Sequence, residues 1–153
     1  VPPADTASPC LGALLDHHAV DLDGVKAPQK LARDSVRATC SEHGGYSRDN
    51  VALVADELVG NAVRHTEHGP RELLVDVYQR GMTVGVADWD PDVTAVPARP
   101  AQRPAPPGAD DDEDVPASGR GLFLIDLYST TRTVEEHNGG KIVRVSIAQA
   151  GAS

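Results

Sequence analysis

Glu57, Asn61 and the pair Arg64-His65 are spaced by four residues and then by three or four, steps that set side chains on one face of an α-helix. A carboxylate, an amide and cationic groups on one face could act together in a site. Val51, Val54, Leu58 and Ala62 form a neighbouring apolar stripe, which would seat the helix on a sheet and leave its polar stripe at a cavity edge. A solvated polar face is the competing reading of the same spacing. Further along, Gly119-Arg120-Gly121 stands directly before the apolar run Leu122 to Leu127. Glycines ahead of a helix let backbone N–H groups approach an anion, and the helix N-terminus adds positive potential, so phosphate is the natural guest. A plain turn is the alternative. Asp88 closes a β-rich segment and opens Asp88-Trp89-Asp90-Pro91. A carboxylate there can accept a hydrogen bond from an amino group, although a strand-to-turn aspartate needs no ligand.

The elements that must position these residues follow from pattern. Ala19 to Leu22 reads as a short first strand, and Pro28 suits the first turn of a helix. From Lys30 to His43, Leu31, Ala32, Val36, Thr39 and Cys40 recur at helical steps, and Gly44-Gly45 ends the pattern. Ser47 can cap a second helix that continues to about Thr66. Leu73 to Tyr78 and Met82 to Ala87 read as strands joined by Gln79-Arg80-Gly81, a connection suited to an antiparallel hairpin. Leu122 to Leu127 suits a buried third helix, and Thr131 to Glu135 and Lys141 to Ile147 are two more strands around His137-Asn138-Gly139-Gly140. Between these, residues 91–118 are rich in proline and carry the acidic run Asp110 to Asp114. A lid over a binding site and a solvated insertion are the two readings of such a loop. The expected organisation is an N-terminal tail over 1–15, one domain over 16–148 and a C-terminal tail over 149–153.

The 153 residues are enough for one domain with its own apolar core. A formal net charge of -9 provides no basic footprint for a nucleic-acid backbone. Cys10 and Cys40 have neither zinc-site spacing nor the density of a secreted disulfide scaffold, and no apolar run is long enough for a membrane span. A cytoplasmic protein with no direct nucleic-acid or membrane partner is expected. His17-His18 has no carboxylate or cysteine at ligand spacing and reads as two surface histidines. The acidic run lacks the glycine and closing glutamate of a calcium loop.

Three segments in order, Glu57-Leu58-Val59-Gly60-Asn61-Ala62-Val63-Arg64-His65, Asp88-Trp89-Asp90-Pro91 and Gly119-Arg120-Gly121-Leu122, resemble the boxes of the GHKL ATP-binding domain. That domain is shared by gyrase, the Hsp90 chaperone, bacterial histidine kinases and the MutL repair proteins. More narrowly, the chain looks like bacterial anti-sigma-factor serine/threonine kinases, over about residues 24–148. The resemblance implies a Bergerat-type α/β two-layer sandwich, with a mixed, mainly antiparallel sheet covered by three helices, and ATP with Mg²⁺ as cofactors. It implies Asn61 as the Mg²⁺ ligand, Glu57 as the catalytic carboxylate and Asp88 as the partner of the adenine amino group. Gly119, Gly121 and Leu122 would wrap the phosphates, aided by Arg120, with Arg64 and His65 at the phosphate side and Lys141 near the base. The family has glycines after its adenine-binding aspartate where this chain has Trp89, Asp90, Pro91 and Asp92.

The function so implied is a regulatory kinase that phosphorylates a serine of an anti-anti-sigma-type antagonist protein and controls a sigma factor. Homodimerisation is expected by the same analogy. The competing reading is a non-catalytic protein-binding module whose partner binding is set by nucleotide or is independent of it. The ATPase part of a histidine kinase, as a separated fragment, is a third.

Overall fold

The computed structural model describes residues 11–92 and 131–150. Its elements run β1 (Leu14–Asp21), α1 (Pro28–Glu42), α2 (Arg48–His65), β2 (Pro70–Tyr78), β3 (Gly81–Asp88), β4 (Thr131–His137) and β5 (Gly140–Ala148). The strands form one sheet in the order β1-β2-β3-β5-β4, and every pairing between described strands is antiparallel. Both helices pack on each other and on one face of this sheet, which makes the two-layer α/β sandwich expected. The third expected helix, over 122–127, lies outside the described residues.

Local chemistry accounts for the element ends. Pro28 occupies the first turn of α1, where a missing N–H costs no helical hydrogen bond. Ser47 caps α2, its side chain accepting from the Asn50 N–H at 3.3 Å. Arg64 and His65 fall in the last turn of α2, where positive charge is favourable beside unpaired carbonyls. The β4–β5 turn places Asn138 at φ 47 and Gly139 at φ 84, a pair of left-handed residues that matches the twist of the strands it joins.

Strand β1 begins at Leu14, five positions before the expected start at Ala19, so the last residues of the expected tail belong to the sheet. Backbone pairing with β2, from Leu14 opposite Tyr78 to Asp21 opposite Glu72, orders a segment whose own pattern is weak. Leu11 is buried as well, and its carbonyl accepts from the Arg80 N–H at 2.9 Å.

The core lies between the layers. Ala32, Val36 and Cys40 of α1, with Val51, Val54, Ala55 and Leu58 of α2, meet Leu73, Val75 and Val77 of β2 and Met82, Val84 and Val86 of β3. Val145 and Ile147 of β5 extend it. Alternation along the strands assigns these residues to the helix-covered face. Asp88 and Lys141, at the next alternate positions, continue the same face to the end of the sheet.

At that end the backbones of β3 and β5 come close. A β-carbon on Gly140 would overlap the Asp88 carbonyl oxygen and crowd Trp89. Gly140→Ala is therefore expected to lower stability by about 1–3 kcal/mol through overpacking. Gly44→Ala, where a β-carbon meets open space, should stay within about 0.5 kcal/mol of the parent. Urea midpoints of the two variants at constant m-value check this difference.

Candidate functional site at one end of the sheet

The loop Thr66 to Gly69 joins the end of α2 to Pro70 at the start of β2, and Pro70 lies opposite Asp88. The final turns of α2 thus share one end of the domain with the close of β3 and the start of β5. Thr66 holds the loop in place by donating to the Ala62 carbonyl at 2.6 Å and accepting from the Gly69 N–H at 3.0 Å.

On α2 the polar stripe is assembled. Glu57 and Asn61 are both partly buried, one helical turn apart. The Arg64 guanidinium donates to the Asn61 amide oxygen at 3.0 Å and lies 3.6 Å from the Glu57 carboxylate. Gly60 provides the room for this: a β-carbon there would come within 3.0 Å of Arg64 and 3.2 Å of the Gln29 amide. His65 is exposed beyond the stripe, at the helix end. The chemistry of the stripe is a carboxylate and an amide oxygen, with a cation lying over both.

At the sheet end, Asp88 and Lys141 face each other across β3 and β5 and are only 2% and 1% exposed. The Lys141 ammonium lies 3.2 Å from each Asp88 carboxylate oxygen and donates also to the Asp90 carbonyl at 3.4 Å. Oδ1 of Asp88 accepts the Asp90 N–H at 2.8 Å. Burial pushes the Asp88 carboxyl above its ordinary range, and the Asp90 N–H and the Lys141 ammonium oppose that rise. Lys141, expected near the base, lies against Asp88, 53 positions away in the chain.

Trp89 is largely exposed. Its ring lies under the Arg71 guanidinium, 4.5 Å from the ring centroid, and its indole N–H donates to Asp23 at 3.4 Å. Arg71 also donates to the Asn138 and His137 carbonyls at 3.1 and 3.2 Å, so one side chain links the β4–β5 turn to the segment after β3. Arg71 had no signal in the sequence, because its partners lie in turns 66 and 67 positions away. Gly119, Arg120, Gly121 and Leu122 lie outside the described residues, as does most of the proline-rich loop.

These residues fit a magnesium nucleotide in donor chemistry. Mg²⁺ takes one or two protein oxygens and keeps several waters, and Asn61 and Glu57 present oxygens one turn apart. A carboxylate offers about four acceptor positions, so Asp88 retains capacity for an amino group while holding Lys141 and the Asp90 N–H.

Lys141→Met leaves a buried carboxylate without its cation, and a loss of about 3–5 kcal/mol is expected. Without that cation Asp88 titrates still higher when folded than when unfolded. A raised carboxyl contributes most below its unfolded value and loses that contribution as pH rises through the folded one. The deficit of Lys141→Met should accordingly be largest at neutral pH and shrink toward pH 4. Adding Asp88→Asn should recover part of it. Chemical denaturation of both variants across that pH range tests the coupling.

No curated protein matches the chain. The family model for the histidine kinase-like ATPase domain matches residues 25–147, a span that contains both helices, the polar stripe of α2, Asp88 and Lys141. The sheet order, the paired helices and this match agree, and the chain belongs to the histidine kinase-like ATPase domain family.

Proposed function

We propose that the domain binds ATP with Mg²⁺ and acts as a regulatory protein serine/threonine kinase of the anti-sigma type. The observation that carries this reading is the stripe on α2, where Glu57, Asn61 and Arg64 form one connected set at the same end of the fold as Asp88. Asn61 would hold the metal through its amide oxygen, and Asp88 would accept from the adenine amino group. Bound ATP supplies the γ-phosphoryl group, and Mg²⁺ offsets the charge on the phosphates.

The residues of this chain then have distinct tasks. Glu57, partly withdrawn from water and beside Arg64, would accept the proton of a serine hydroxyl. Arg64, which donates to the Asn61 amide oxygen, would be the guanidinium available to pair with phosphate were Asn61 to hold a metal. The Lys141 ammonium opposes the rise that burial gives the Asp88 carboxyl, which favours Asp88 as an acceptor. Gly119, Arg120, Gly121 and Leu122 would supply backbone and charge around the phosphates, and His65 and Lys141 the margins of the site. The partners of this reading are a sigma factor and an anti-anti-sigma-type antagonist carrying the accepting serine, with pairing of two copies and a cytoplasmic location. Among the described residues no helix is long and apolar enough to cross a membrane, and Cys40 is a free thiol.

A second reading draws on the Asp88–Lys141 pair. A carboxylate so completely covered and already held by an ammonium also suits a protein-binding module in which this end of the fold is a structural plug.

Calorimetric titration with ATP and Mg²⁺ separates the two. Micromolar binding that weakens at least tenfold in Asn61→Ala and depends on Mg²⁺ is expected of the first. Glu57→Ala should keep that binding and lose transfer of ³²P from ATP to an antagonist serine by about 100-fold or more. Absence of heat at millimolar nucleotide would leave the module reading alone.

A further inference from the structure

The opposite end of the sheet carries a cluster that the nucleotide site does not use. Asp16 and His18 are two residues apart on β1, opposite Val77 and Val75 of β2. Because Val77 and Val75 belong to the core, Asp16 and His18 share the helix-covered face. There they meet the end of α1. The Asp16 Oδ2 lies 2.8 Å from His18 Nε2 and 3.0 Å from His43 Nε2, and the ligand atoms of Asp16, His18 and Glu42 all lie within 4.8 Å of one another. His17 points to the other face, where it meets Asp76. The expectation of two surface histidines with no carboxylate at ligand spacing is thereby corrected: His17 meets Asp76 and His18 meets Asp16. The partners of His18 come from the strand itself and from the end of a helix more than twenty residues on, a combination with no recognisable spacing.

The geometry points to a divalent transition-metal site of the zinc type built from Asp16, His18 and Glu42, whose ligand atoms already lie together, with His43, held 3.0 Å from Asp16, turning in as fourth ligand. Two imidazole nitrogens and two carboxylates form a ligand set that zinc accepts in tetrahedral geometry. With metal–ligand bonds of about 2.0 Å, neighbouring ligand atoms in a tetrahedron stand about 3.3 Å apart. The separations of 2.8 and 3.0 Å around Asp16 Oδ2 are a few tenths of an ångström short of that, whereas His43 stands outside the group of ligand atoms within 4.8 Å of one another and its ring must turn further to complete the tetrahedron. Glu42 is exposed and Asp16, His18 and His43 are partly so, which gives an ion access. Imidazole donors favour zinc, copper and nickel over magnesium and calcium, so this site would not compete for the cation of the nucleotide site. The two lie roughly 20 Å apart along β2 by strand rise. A bound ion would fasten the edge strand β1 to the C-terminal end of α1.

The test uses the full chain, freed of metal by chelation, and ZnCl₂ in competition with a chromophoric chelator at pH 7.5. One equivalent bound at micromolar Kd or tighter is expected, insensitive to millimolar Mg²⁺. Affinity should fall about 100-fold in His43→Ala and in Asp16→Asn and remain unchanged in His17→Ala. Zinc at a hundredfold excess over Kd should raise the Tm of the parent by about 5–10 °C and leave that of His43→Ala unmoved. Far-UV circular dichroism of the metal-free variants checks their folding, and His18→Gln serves in place of any that unfolds. X-ray absorption at the zinc edge should show two imidazoles. The proposal is overturned by less than half an equivalent of zinc bound, by equal affinity in a folded His18→Gln/His43→Ala double variant, or by loss of binding in His17→Ala.

Discussion

The ion pair between Asp88 and Lys141 constrains everything at the functional end of the domain. Neither group can be left there alone, since a lone buried charge costs several kcal/mol while the two together offset much of their desolvation. Their mutual dependence fixes the pairing of β3 with β5 at one position, because a slip of one residue would carry Asp88 and Lys141 to opposite faces. With that register set, Val86 and Val84 face the helices rather than the far side of the sheet. Gly140 belongs to the same constraint, as only a residue without a side chain fits beneath the Asp88 carbonyl. Chemistry and folding thus converge on one carboxylate, which serves as acceptor and as register pin.

Around that pair, contacts reach across distant parts of the chain. Arg71 on β2 spans the β4–β5 turn and the Trp89 ring, while Trp89 reaches Asp23 beyond β1. Asp88 itself is held by the Lys141 ammonium and the Asp90 N–H, while Trp89 beside it is tied to Arg71 and Asp23. Where the family has glycines after this aspartate, the chain has a tryptophan whose ring is occupied from one side by a guanidinium. The surface beside Asp88 is a rim shaped by this stack.

Much of the architecture is legible in local signals. The Ser47 cap, Pro28 in a first turn, the helical spacing of Val51, Val54 and Leu58, and Asn138-Gly139 between two β-rich runs each act within a few residues, and each expected element appears where they operate. The polar stripe of α2 was legible for the same reason, since Glu57, Asn61 and Arg64 are related by helical periodicity alone. Strand β1 was legible only in its second half, because Leu14 to His18 owe their conformation to β2 rather than to their own composition. The Asp88–Lys141 pair and the contacts of Arg71 are long-range, and one sequence carries no mark of which charges will meet. The same holds for Asp16 and His43, brought together by the packing of α1 beside the edge of the sheet.

The hairpin of β4 and β5 re-enters the sheet beside β3 after about forty residues of intervening chain. The hairpin can form locally, through its two-residue turn, before it finds its place. The register is held by Asp88 and Lys141 at the end of the sheet, independent of how much chain lies between. The place of the hairpin is thus written in the strands that meet there, β3 and β5, and not in the chain that joins them.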